Sequence, residues 1–116
     1  MSMSLDQKLG DVIAKTVNAD YIENYIGKQV TIHGKIDSIN NNTAFITVQE
    51  EENKKITVNN FNENMQPGIY VKVVGTVNGD RSINSIFCKQ MDESFDLSMM
   101  NEVVRLSQSK EFADYF

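Results

Sequence analysis

The chain has 116 residues, 41% of them hydrophobic and 23% charged, with a formal charge of −5 and a pI near 4.7. That length suits one core, and no apolar run reaches the roughly 20 residues a membrane-spanning helix needs, so no membrane role is expected. The acidic balance argues against an autonomous grip on nucleic acid, because phosphate affinity comes mainly from Lys and Arg that displace counterions. The N-terminus has neither the basic nor the long apolar region of a signal peptide. One cysteine, Cys88, leaves no partner for an internal disulfide and no cysteine cluster for a metal. A reduced compartment, cytosol or nucleus, is the expectation.

Ser4 followed by Gln7 is a capping-box pattern, and Leu5, Leu9, Val12, Ile13 and Val17 fall at helical spacing behind it. A short helical extension over residues 1–17 is expected, although Gly10 costs it about 1 kcal/mol relative to Ala. After Asn18-Ala19-Asp20, the segment Tyr21 to Ile26 reads as one or two helical turns ending at Gly27.

From Gln29 the period becomes two. Val30, Ile32, Gly34 and Ile36 alternate with Thr31, His33, Lys35 and Asp37, a long strand in which the glycine suggests a bulge or bend. Asn40-Asn41-Asn42 supplies a turn. Thr43 to Gln49 and Lys54 to Val58 are the next strands, joined by the acidic loop Glu50-Glu51-Glu52-Asn53. The polar stretch from Asn59 to Gly68, holding Phe61 and Met65, is a loop or a single turn. Tyr70 to Val77 and Ser82 to Gln90 complete the set, and Asn78-Gly79 between them predicts a type I′ hairpin. Asp96 or Ser98 can cap a last helix from Leu97 to Gln108. The pattern predicts a mainly β domain, a five-stranded OB-fold Greek-key barrel over residues 18–94, flanked by N-terminal and C-terminal helices. An SH3-like barrel is the alternative.

No catalytic constellation emerges: no nucleophile with a base, no metal cluster, no phosphate-binding glycine loop. No cofactor or metal is expected. His33 reads as a surface-facing strand residue and Cys88 as a small buried hydrophobe. The outward face of the first three strands shows His33, Lys35, Phe45, Thr47, Lys55 and Thr57. Of these, Lys35, Phe45 and Lys55 are the candidates for a weak nucleic-acid contact, one aromatic platform with two cations.

The last helix carries more. At 100° per residue, Met99, Met100, Val103, Val104 and Leu106 spread over an arc of about 160°, wider than the ~100° stripe one packing surface requires. Two readings stay open: the helix caps its own barrel, or one edge rests on the barrel, helped by Phe95 and Leu97, while the other meets partner helices.

Several of these residues resemble the smallest subunit of replication protein A. They are Phe95-Asp96-Leu97, Asn101-Glu102, Val104 and Arg105 in the helix; Asn18-Ala19, Tyr21-Ile22 and Tyr25-Ile26 before the barrel; Gly34-Lys35-Ile36; and Val73-Val74-Gly75-Thr76-Val77. The likeness runs in order from about Asn18 to Gln108. It implies an OB fold and a nuclear, non-catalytic subunit of a heterotrimer for DNA replication, repair and recombination. The helix, through Leu97, Met99, Met100, Val103, Val104 and Leu106, would join the middle and large subunits in a three-helix bundle. Single-stranded DNA would be held mostly by those partners. The alternatives are the corresponding subunit of a telomeric or telomerase-associated complex, and an independent weak OB-type binder. Leu5 to Val17 and the tail Phe112 to Phe116 depart from the family pattern. The tail completes residues 95–116, the expected docking segment.

Overall fold

A computed structural model describes residues 15–108. It contains β1 (Lys15–Thr16), a 3₁₀ turn (Ile22–Tyr25), β2 (Gln29–Asn40), β3 (Thr43–Gln49), β4 (Lys54–Asn59), β5 (Tyr70–Val77), β6 (Ile83–Gln90) and α1 (Leu97–Ser107). The five long strands close on themselves in the order β2-β3-β4-β6-β5, with β5 returning to pair with β2. All these pairings are antiparallel except β4 with β6. This is the OB-type Greek-key barrel that the period-two segments predict.

Closure depends on β2 serving both sides of the barrel. Gln29 to Lys35 pair with β5, and Lys35 to Asn40 pair with β3. Gly34 stands at the handover, where the walls come so close that a Cβ would lie 2.5 Å from both Ile46 Cγ2 and the Thr47 carbonyl oxygen. The bulge itself falls later, between Ile36 and Ser38. Inward residues of every long strand, among them Val30, Ile32, Ile46, Val58, Val73 and Ile83, are fully buried. Each such side chain contributes roughly 1.5–3 kcal/mol by transfer from water. No helix links β4 to β5; Phe61 from the polar loop enters the core instead, its N–H donating to the Asn42 carbonyl at 2.8 Å.

Two local expectations need correction. The predicted N-terminal helix does not extend through residue 17. Lys15 and Thr16 instead pair in parallel with Val30 and Thr31, and Val17 joins the core. Pairing beside β2 and burial of Val17 outweigh a weak local helical period, as tertiary contacts commonly do; residues 5–14 of that expected helix lie outside the described residues. The β5–β6 connection is not a two-residue type I′ turn. The left-handed conformation falls on Arg81 (φ 71°), not on Asn78 or Gly79. The Asp80 carboxylate accepts from the Ser82 N–H at 3.0 Å and hydroxyl at 2.6 Å, and the Arg81 N–H donates to the Asn78 carbonyl. This Asx-type arrangement moves the tight turn two residues on.

Candidate docking helix and nucleic-acid interface

The helix α1 starts where Asp96 accepts a hydrogen bond from the Met99 N–H at 3.0 Å, which satisfies one of the donors a helix N-terminus leaves open. It packs against β3 and β2. Polar contacts fix its seat along the whole length: Asn101 Nδ2 donates to the Val48 carbonyl at 2.8 Å, and Asn18 Nδ2 donates to Asn101 Oδ1 at 2.9 Å. Near the end, Lys15 Nζ donates to the Ser107 carbonyl at 3.3 Å, and Gln108 Nε2 to the Tyr25 hydroxyl at 3.1 Å.

This seat divides the six apolar residues that the family resemblance implied for docking. Leu97 and Val104 are buried within the chain itself and so are not free for a partner. The reason is the pitch of the helix: both lie on the side of Asn101 and Gln108, which are hydrogen-bonded to the barrel and the 3₁₀ turn. The opposite edge is open, with Met99 65% and Val103 37% exposed, and Met100 and Leu106 half-buried beside them.

The segment entering the helix carries a feature that sequence reasoning missed. The Phe95 ring stacks on His33, with centroids 5.4 Å apart and planes 22° apart, and lies 5.9 Å from the Tyr70 ring. Lys35 Nζ sits 5.7 Å from the Tyr70 centroid and 3.0 Å from Glu50, whose carboxylate also accepts from the Tyr70 hydroxyl at 3.1 Å. His33 is therefore only 9% exposed, which corrects its reading as a surface residue. It does face away from the barrel interior, but the chain after β6 folds back over it. Its Nδ1 has no hydrogen-bond partner among the described residues. Burial, reinforced by the nearby Lys72 charge, pushes its pKa down to about 4. The only hint in the sequence was an aromatic residue immediately before the helix cap.

The three nucleic-acid candidates do share the outer face of β2, β3 and β4. Lys35, Thr47 and Lys55 stand opposite one another in one row, and Phe45 occupies the next row between Ser38 and Thr57. The electrostatics are poor for phosphate. Glu50 holds Lys35 and keeps its pKa raised, and Lys54 is tied to Asp20. Asp20, Glu50, Glu51, Glu52 and Glu102 rim a groove of about 310 Å³ between this edge and α1. Among the described residues no group of three His, Cys, Asp or Glu side chains could hold a metal ion. The Cys88 thiol is pushed up to about 12, first by burial and then by Glu63, which leaves it a poor nucleophile.

A small OB barrel with one pinned terminal helix defines the class. The chain matches the model of the family described as Replication factor A protein 3 over residues 11–113, and it belongs to that family. Among solved structures it is similar to a chain of U. maydis Replication protein A bound to ssDNA, at 19% identity, covering 89% of this chain and 94% of that one, with a TM-score of 0.74. It is also similar to the telomere capping protein Ten1 of S. pombe, at 15% identity over 82% of this chain and 97% of that one, with a TM-score of 0.68. A chain of the S. pombe Stn1–Ten1 complex matches with the same identity and TM-score, with 82% of this chain and 91% of that one covered. No curated protein matches.

Proposed function

We propose that this chain is the small, non-catalytic subunit of a heterotrimeric single-stranded-DNA-binding complex of the replication protein A type, acting in the nucleus in DNA replication, repair and recombination. The observation that carries this reading is the division of α1. One edge is pinned to the barrel, and the opposite edge presents Met99 and Val103 exposed, flanked by the half-buried Met100 and Leu106. Helices of the middle and large subunits would cover that edge in a three-helix bundle. Methionine suits such a contact because its flexible side chain adapts to the opposing surface. Full burial of a Met or Val is worth about 1.5–3 kcal/mol, so a few of them can offset part of the entropy lost on association. The work of holding DNA falls mainly to the partners, which agrees with the single aromatic ring and the Glu50-bound Lys35 on the β2–β4 face.

The likeness to Ten1 supports a second reading, the corresponding subunit of a telomeric complex. Affinity purification from native extract with identification of the co-purifying chains separates the two. For the helix, Met99→Asp combined with Val103→Asp is expected to abolish partner co-purification while the isolated chain melts as before. Retained partners would refute the docking assignment. An unfolded variant would show instead that this edge serves the barrel.

A further inference from the structure

A second outer face, made by β2, β5 and β6, carries the chemistry that the Phe45 face lacks. Residues directly opposite in paired strands point the same way. The register His33–Lys72–Lys89 therefore sets two lysines side by side on β5 and β6. The neighbouring register position holds Thr31, Val74 and Phe87, so Phe87 shares the face and lies two residues, about 7 Å, from Lys89 along β6. Phe87 is 43% exposed and Ile86, at the shift in the β5–β6 register, is 60% exposed.

The two lysines also stand outside the ion pairs of the described residues. Lys35, Lys54, Arg81 and Arg105 are each paired with a carboxylate. Among the described residues, Lys72 and Lys89 have no such partner; nor have Lys28 and Lys55, but only Lys72 and Lys89 stand directly opposite each other in paired strands. Of the acids in the segment after β6, Asp92 accepts from the N–H and hydroxyl of Ser94 and Asp96 from the Met99 N–H, and neither they nor Glu93 forms an ion pair with Lys72 or Lys89. In a chain of net charge −5, two neighbouring lysines without counter-charge beside an exposed aromatic ring form a local exception. That combination is what a single strand requires: cations for the phosphates and a ring for a base.

We propose that the outer face of β5 and β6 is a contact for single-stranded nucleic acid, with Lys72 and Lys89 meeting neighbouring phosphates and Phe87 stacking on a base. This rests on the single-strand-complex reading above and names the face through which this subunit touches the strand. The Phe45 face, with its acidic rim, then contributes little. A protein surface is the competing occupant, since Ile86 is apolar.

The test is a titration of the ¹⁵N-labelled full chain with oligo(dT), followed by amide shifts. Shifts centred on Lys72, Phe87 and Lys89 are expected. Phe87→Ala should weaken binding about tenfold, and Phe45→Ala should leave it unchanged. Lys72→Glu with Lys89→Glu should lower the salt slope by about 1.4, the value for two phosphate contacts on a single strand. A dispersed spectrum for each variant reports its fold. Absent shifts, shifts centred on Phe45 and Lys55, or binding unaffected by the double lysine change would overturn the proposal. So would loss of partner chains from the double lysine variant on co-purification, which would make the face a protein contact. Failure of the subunit reading shows separately, as retained partners in the Met99/Val103 variant, and leaves the oligo(dT) result standing.

Discussion

The His33–Phe95 stack makes the stability of this domain depend on pH between about 4 and 6.5. The imidazole has a folded pKa of about 4 against an ordinary value of 6.5, because burial disfavours the cation and Lys72 repels it. Protonation would gain a cation–π contact with Phe95 worth about 0.5–1 kcal/mol, too little to offset the desolvation of a buried charge. Between the two pKa values the unfolded chain binds more protons than the folded one, so stability falls as pH falls. The effect is absent above 6.5, reaches about 2 kcal/mol near pH 5 and saturates at about 3 kcal/mol below pH 4. Asp20, Asp80 and Asp92 have lowered pKa values, so their contributions vanish only as pH drops below the ordinary value of 3.8, outside this window. With no tryptophan in the chain, far-UV circular dichroism in urea is the suitable readout. Wild type should lose about 2 kcal/mol between about pH 7.5 and pH 5. His33→Phe, which keeps a ring under Phe95 and cannot titrate, should be flat over the same range. An equal slope in the two proteins would refute the assignment to His33.

Three further outcomes follow from the packing. Gly34→Ala should destabilise by about 1–3 kcal/mol in urea unfolding, because its Cβ meets backbone that cannot give way. Asp96→Ala should cost about 1 kcal/mol through loss of the N-cap, seen as weaker hydrogen-exchange protection confined to the first turn of α1. Arg81→Gly should raise the melting temperature slightly. It relieves a left-handed residue worth about 1 kcal/mol and gives up only an exposed ion pair with Glu23, which is worth less.

The barrel was legible in the sequence because its signals are local and repeated. Thr43 to Gln49 and Tyr70 to Val77 place apolar residues at every second position, and the structure reproduces those two strands residue for residue. The glycine in the first strand also conveyed its meaning, although the bulge lies beyond it at Ile36/Ser38. What the sequence concealed is non-local. Thr16 pairs with Thr31 and His33 lies under Phe95, contacts between segments far apart in the chain that no short window contains. The hairpin expectation failed for a different reason: Asn78-Gly79 fits a type I′ turn, but Asp80 and Ser82 supply a competing turn of their own. The lysine pair was hidden as well, since Lys72 and Lys89 become neighbours only through the β5–β6 register.

The same register explains how a chain of net charge −5 can still carry a positive patch. Charge in this fold is sorted by face. Asp20, Glu50, Glu51 and Glu52 gather where β3 turns into β4, and they hold Lys35 and Lys54 within their reach. Lys72 and Lys89 stand on strands whose outer rows carry no Asp or Glu and form no ion pair among the described residues, so positive charge gathers there even though the net charge is negative. At physiological salt, charges more than about 8 Å apart are largely screened, so a phosphate would feel its nearest neighbours far more than the total. The net charge of −5 therefore argues against strong binding by the isolated chain without excluding a short contact made when partners hold the strand in place. The pinned helix would serve the proposed assembly: an edge already ordered by Asn101, Asn18 and Lys15 would lose less entropy on docking than one that must fold as it binds.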